Sequence, residues 1–536
     1  MKIEFLGPLN QVTGSCTWMH DDEHDWNFLV DCGIQQGEGR GDIWNNGVNW
    51  PFDPSDIKFI LLTHAHMDHC GLIPLLYKKG FKGKVLCTKE TAEIAKVMLC
   101  DATKLGMPYT EQDIALIEWF EPRRNRSLLG GNLHPIDNDL FINFYRTSHI
   151  IGAVSIGIFW GKVGTPEQKK IIFSGDIGTS LENQENLPLL RHMMRPHEFD
   201  YAVIESTYGG KIRSQEVFTP EYRWQQLEEI CQQITLQNST ALLPAFSLGR
   251  IQDLLFDMHW VLNSEPDKFA NIELILDSPT TNKLAPIILE AIERTEVIGK
   301  NLRKVRPVWL GKQIFRWFEL DDSIPEHIER VIDLIRLSLG EKAKYPEYAG
   351  KFGNQLARNW QSKVKVIRKQ QDRQNLSKWC AKIIIASSGS CDGGAVTNWL
   401  PQVIDNSKHA VCFTGYSAPG SVAAELSHLG NVDNDQRRRL LGSLKIPSTN
   451  TEIPYRDIAC KIKSIDGYSA HADQTGLLHW LFHTFNGQER MTAPYIFIQH
   501  GDRYNRLDLK QAIECKAGKR KVNVCLPEHY KNQFEL

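Results

Sequence analysis

Short apolar runs rich in Val, Ile, Leu and Phe recur through the first two hundred residues, and many of them end on a titratable side chain. Runs at 2–6, 15–19, 27–31, 57–62, 84–87, 141–146, 153–160, 170–174 and 200–205 each fit one strand and are too short for a buried helix. Stretches near 71–79 and 90–105 carry the longer helical period. Short strands in mixed order with few helices predict two sheets packed face to face, with helices outside. From about residue 220 the pattern changes. A helix at 219–237 leads to a strand at 241–246, a helix at 249–263, a strand at 272–277 and a helix at 282–294; strands at 382–386 and 409–415 continue the series. Alternation of this kind predicts a parallel α/β layer.

A chain of 536 residues can form two or more domains with substantial cores, and 42% apolar with 24% charged residues is the balance of a soluble globular protein. The first residues read as a strand, without the basic and apolar regions of a signal peptide. The most apolar span, 150–160, is too short to cross a bilayer, so no membrane partner is expected. Twelve cysteines without a single CxxC pair predict reduced thiols in an intracellular, cytoplasmic protein. A net charge of −2 supplies no global field for nucleic acid, so any such binding has to be local. Between Glu341 and Arg373 nine basic residues stand against three acidic ones, interleaved with Tyr345, Tyr348, Phe352 and Trp360. That stretch reads either as a surface that tracks phosphates and stacks bases or as a solvated helical face with its own small core.

The strongest chemical signal is His64-Ala65-His66-Met67-Asp68-His69, four ligand-type side chains within six residues between a strand and a helix. His64 and His66 leave the same face of an extended backbone, and Asp68 and His69 fall at the turn and the first helical positions. Imidazoles plus a carboxylate suit zinc, with manganese or iron also compatible. Four ligands so close together point to two adjacent ions, an arrangement used to hydrolyse esters, amides and phosphodiesters. Further candidates end other apolar runs: Asp31, His149, Asp176, Glu205 and His500, with His471 in a polar turn.

Taken together, Val12-Thr13-Gly14-Ser15-Cys16, Asp31-Cys32-Gly33, the His64 cluster, Ser148-His149, Ser174-Gly175-Asp176, Glu205-Ser206-Thr207-Tyr208-Gly209, Ser469-Ala470-His471-Ala472-Asp473 and His500-Gly501 resemble the metallo-β-lactamase superfamily. Within it they resemble the β-CASP branch of RNA-processing ribonucleases. The motifs run in family order over nearly the whole chain. The resemblance implies an αββα sandwich at 1–208 and 461–536, with a β-CASP α/β domain inserted at 209–460. It assigns one Zn2+ to His64, His66 and His149, the other to Asp68, His69 and His500, and makes Asp176 the bridge. Asp31 would orient a ligand imidazole and fix its tautomer. His471 would be the general acid, held by Glu205, and the metal-activated hydroxide would leave 5′-phosphate and 3′-hydroxyl ends.

The small-residue loop Ser387, Ser388, Gly389 and Ser390 before a helix near Ala395 reads as a phosphate cradle or as a plain strand-to-helix turn, the resemblance favouring RNA phosphate. Arg250 reads as an RNA-backbone contact or as half of a buried ion pair. The family commonly has Met after Ser-Gly, whereas here Ser390-Cys391 follows. Residues 312–378 do not align, and read as a helical elaboration that selects substrate, forms a homodimer or docks into an RNA-processing complex. His500 favours RNA over DNA, and the short segment after it favours an endonuclease over a 5′-exoribonuclease or a dual-mode enzyme. A non-catalytic scaffold and a small-molecule hydrolase complete the alternatives.

Overall fold

The computed structural model describes all residues except 36–40, 123–128, 130–132, 182–183, 299–303, 377–379, 416, 418–419 and 486–487. It divides into two compact units. The first comprises Met1–Asn183, His192–Arg213 and Ala470–Leu536; the second comprises Gln184–Arg191 and Ser214–Ser469. Among the described residues no helix is long and apolar enough to cross a membrane.

The first unit is built on two seven-stranded sheets. One runs in the order Gln533–Glu535, Lys2–Leu6, Cys16–Asp21, Trp26–Cys32, Phe59–Leu61, Lys84–Leu86 and Glu118–Phe120. The other runs Asn523–Cys525, Tyr495–Ile498, Tyr201–Ile204, Lys169–Phe173, Val154–Trp160, Leu140–Arg146 and His134–Asp137. Side chains that alternate along a strand serve two layers. Phe497 meets Phe5 of the other sheet at 5.2 Å between ring centroids, while Ile496 and Ile498 pack with Trp480, Leu509 and Ile513 from the helices Gln474–Leu481 and Arg503–Ala517.

Strand direction decides where the polar ends emerge. Lys169–Phe173, Tyr201–Ile204 and Tyr495–Ile498 are mutually parallel neighbours. Leu140–Arg146 points the same way, because two antiparallel pairings separate it from Lys169–Phe173. The residues that follow all four strands therefore gather at one edge. In the other sheet, Trp26–Cys32 and Phe59–Leu61 are parallel and deliver Asp31 and His64 in the same way. Close approach of the loops needs glycine: a Cβ on Gly33 would overlap the Asp68 carbonyl, and one on Gly178 the Ser148 carbonyl.

The second unit carries a six-stranded parallel sheet in the order Val364–Val366, Ile272–Asp277, Ala381–Ala386, Thr240–Pro244, Ala410–Phe413 and Lys461–Ser464. Helix Pro220–Gln237 starts where Thr219 caps it, and Pro279–Glu293 starts a turn before the predicted 282, because Ser278 accepts from the Thr281 amide and Pro279 presets the first turn. The stretch predicted as a helical elaboration holds the helices Gln313–Trp317, Pro325–Ser338, Gln355–Asn359 and Gln370–Gln374. It also contains the edge strand Val364–Val366, so it is not helical throughout; positions 377 and 378 lie outside the described residues. Trp360 is buried against Trp260, Phe256 and Phe318 and cannot stack a base. Lys365 pairs with Glu273, Arg368 with Glu341 and Arg373 with Asp277. Trp360 and these three paired cations thus fit the reading of a face with its own small core.

A buried polar knot lies in this unit. Fully buried Arg223 donates from Nε to Asp257 at 2.7 Å and from Nη1 to Asn186 at 2.7 Å; Tyr468 and Trp224 each donate to Asp257 at 2.8 Å. Asp257→Ala leaves the Arg223 charge buried without its counter-ion, so we expect a loss of about 3–5 kcal/mol, read as a lower urea midpoint of unfolding.

Candidate metal centre

The strand Phe59–Leu61 ends three residues before His64, and the backbone stays extended to His66, which stands at the start of helix Met67–Cys70. The short helix turns Asp68 and His69 back toward the same point. Two groups form. His64, His66, His149 and Asp176 offer ligand atoms all within 4.8 Å of one another, as do Asp68, His69 and His500. Asp176 divides its oxygens between them: Oδ2 lies 3.3 Å from His64 Nε2 and 3.4 Å from His149 Nε2, and Oδ1 lies 3.3 Å from His69 Nε2 and 3.6 Å from His500 Nε2. The structure therefore brings together all seven predicted metal ligands.

Hydrogen bonds on the far side of each ring determine which nitrogen is left for an ion. His69 Nδ1 donates to Asp31 Oδ2 at 2.8 Å, and His149 Nδ1 donates to the Ala470 carbonyl at 3.1 Å, leaving both Nε2 atoms to face an ion. Asp31 is itself held by the Thr63 amide and hydroxyl, each at 2.8 Å. Both Asp31 (φ 59°) and His500 (φ 52°) adopt the left-handed region that non-glycine residues avoid, which turns their side chains off the strand line into the site.

The donor set fits divalent metal. His66 Nδ1 stands 3.2 Å from His64 Nε2 and 2.9 Å from His149 Nε2. Burial pushes His64 down to about 3, His66 down to about 4 and His149 well below the ordinary histidine value, so these rings are neutral and three of their nitrogens converge. His69 Nε2, His500 Nε2 and Asp176 Oδ1 are buried and make no hydrogen bond among the described residues. A cation satisfies each of these atoms. Burial opposes ionisation of Asp176, but the surrounding imidazoles, His69 and His500 foremost, hold it well below the usual carboxylate range.

Beside this set, His471 Nδ1 lies 3.2 Å from Glu205 Oε2, and its Nε2 lies 3.9 Å from Asp176 Oδ2. Glu205 is fixed by the Ile177 amide at 2.6 Å and the Thr207 amide at 3.2 Å. Burial disfavours the charged His471 ring, but the Glu205 and Asp176 carboxylates outweigh it and raise its pKa above the ordinary value.

The remaining predicted residues belong to the second unit. Ser387 is buried, and its carbonyl accepts from the Val396 amide; the Ser388 and Ser390 hydroxyls are 3.0 Å apart, and Gly389 packs on Phe246. The expected helix near Ala395 is a four-residue 3₁₀ turn, Ala395–Asn398, too short to supply an anion-binding helix end. Arg250 is buried at the start of helix Arg250–Ser264, and its charge acts on Asp253, whose carboxyl burial pushes up to about 7. Sequence reading missed Thr63 and the Ala470 carbonyl. Thr63 had a signal, since it adjoins His64; a backbone carbonyl has none.

Residues 10–142 match the family model described as the metallo-beta-lactamase superfamily, 330–426 the Beta-Casp domain, and 455–527 the Zn-dependent metallo-hydrolase RNA specificity domain. The second match covers much of the stretch that could not be aligned from the sequence alone. Ribonuclease TTHA0252 of Thermus thermophilus is 25% identical over 523 residues, spanning 96% of both chains. RNase J-like protein of Methanocaldococcus jannaschii is 24% identical, spanning 95% of both. Transcription termination factor FttA of Methanosarcina mazei is 24% identical, spanning 96% of this chain and 69% of that one. Fold and site together define a divalent-metal hydrolase. The chain belongs to the metallo-β-lactamase superfamily and, within it, to the β-CASP ribonucleases.

Removing Asp31 frees the His69 ring to rotate and to change tautomer. Asp31→Ala is expected to weaken metal retention about 10–100-fold, measured by competition with a chromogenic chelator.

Proposed function

We propose that the protein cleaves RNA endonucleolytically at a centre of two zinc ions, leaving 5′-phosphate and 3′-hydroxyl ends. His64, His66 and His149 would hold one ion, Asp68, His69 and His500 the other, and Asp176 both. The two ions, when bound, supply acidified water as nucleophile and positive charge against the phosphate oxygens. The observation that carries the reading is His471: its Nδ1 faces Glu205 at 3.2 Å, and its Nε2 points toward Asp176 at 3.9 Å. A thioesterase reaction expels a thiolate, which has less need of a separate acid at this place. A ribose 3′-oxygen is a poor leaving group until protonated, and His471 can deliver that proton from Nε2 while Glu205 keeps Nδ1–H in place. RNA as substrate class accords with the RNA specificity match at 455–527 and with relatives named as ribonucleases.

The roles separate experimentally. His471→Ala should keep both metals by elemental analysis while slowing cleavage about 10²–10⁴-fold. Asp176→Ala should lose metal and activity together. A fully active His471→Ala would remove the acid assignment, and a circular RNA left intact would replace the endonuclease reading with a 5′-exonuclease.

Glu205 also governs the pH profile. Because the Glu205 and Asp176 carboxylates raise His471 above the ordinary histidine value against the opposing effect of burial, the acid function is lost only as pH rises past its own pKa. Glu205→Gln removes the main charge favouring the protonated ring. The alkaline limb of kcat should therefore move to lower pH, and an unmoved limb would exclude His471 as its source.

A further inference from the structure

The segment after Glu205 continues Ser206-Thr207-Tyr208-Gly209-Gly210-Lys211-Ile212-Arg213 and stays beside His471. The Tyr208 ring stands edge-on to the His471 imidazole, at 80° and 6.1 Å between centroids. Arg213 lays its guanidinium over Tyr208 at 4.3 Å, and the Lys211 ammonium lies 5.6 Å from the same ring. Backbone stitching holds this loop to the one that carries His471. Arg213 Nη1 donates to the His471 carbonyl at 3.2 Å, the Arg213 amide donates to Asp473 Oδ2 at 2.9 Å, and the Gln474 amide donates to the Lys211 carbonyl at 2.9 Å. From the other side, the Gly210 amide donates to Asn505 Oδ1 at 2.9 Å.

Two cations stand on the loop stitched to the one that carries His471, and their position suits an anion on a strand entering there. Among the described residues, their charged groups engage the Tyr208 ring and a backbone carbonyl rather than a carboxylate. Lys211 is exposed and Arg213 half-buried, so both can reach an incoming strand. In RNA, the nucleotide whose 3′-oxygen accepts the His471 proton carries its own 5′-phosphate one linkage upstream of the scissile bond. We propose that Lys211 and Arg213, with Arg213 steadied on Tyr208, bind that upstream phosphate and so seat the leaving ribose against His471. The proposal rests on the ribonuclease reading above. It makes Lys211 and Arg213 substrate-positioning residues that set how well the leaving side of the RNA is held.

A pair of RNA oligonucleotides around one mapped cut site tests this. Both carry a 2′-O-methyl ribose at the nucleotide two positions 5′ of the cut. One has an ordinary phosphate between that nucleotide and the leaving nucleotide, the other a neutral methylphosphonate. For the metal-loaded enzyme we expect Lys211→Ala with Arg213→Ala to lower kcat/KM on the phosphate RNA about 10–100-fold, mostly through KM. Wild type on the methylphosphonate RNA should fall to the same level, and the variant should lose nothing more there. Equal losses on both RNAs, or no loss on either, would overturn the subsite. Lys211→Ala alone, at an exposed position, should show a smaller version of the same pattern even where the double variant folds poorly. If wild type cleaves neither these RNAs nor their unmodified parent, the ribonuclease reading fails. Fluorescence anisotropy with the same pair then decides the subsite alone, since only a phosphate-binding Lys211 and Arg213 make affinity depend on that one charge.

Discussion

One buried carboxylate organises the first unit. Asp176 stands within 3.3–3.6 Å of His64, His69, His149 and His500. Such a gathering is unfavourable by itself, because burial strips these groups of water and holds the His64 and His149 rings neutral beside an anion. Only a scaffold rigid on every side can hold it. The sheets supply that rigidity, with Asp31 and His500 forced into left-handed backbone at a cost of about 1–3 kcal/mol each. The outcome is a set of preoriented lone pairs that gains its stabilisation when cations arrive.

Strand direction explains why so few loops suffice. Parallel neighbours emerge on one edge, so Asp176 and Glu205 become adjacent to His500 although hundreds of residues separate it from them. The loops can then interlock only where no side chain stands between them. Gly33 lets the Asp68 carbonyl pass and Gly178 lets the Ser148 carbonyl pass, which gives Asp31-Cys32-Gly33 and Asp176-Ile177-Gly178 a steric meaning beyond their polar members. Orientation follows from hydrogen bonds behind the ligands, through Thr63 and Asp31 to His69 and through Ala470 to His149.

How much of this could be read in the chain depended on distance along it. Apolar runs located the strands within a residue or two, since a buried strand has to be continuously apolar: 141–146 became Leu140–Arg146, and 200–205 became Tyr201–Ile204. The ligand-type residues at the ends of those runs stood out for the same reason. The charged stretch 341–373 was ambiguous because its partners are remote. Glu273 and Asp277 neutralise Lys365 and Arg373 from a strand nearly a hundred residues away, and Trp360 is buried by Trp260 and Phe256. Charge pattern reports what a segment carries and is silent on what it meets.

The sequence by itself determined the α/β class, most strands of the first two hundred residues and the identity of the groups that gather around Asp176, because hydrophobic periodicity and ligand chemistry are local properties of residues. Tertiary structure alone decided which imidazole nitrogen is free, which oxygen of Asp176 faces which ring, and that Arg213 lies on Tyr208 beside His471. Those are matters of direction, and direction comes from strand polarity, backbone carbonyls and the close passage of loops, none of which is written in a side chain.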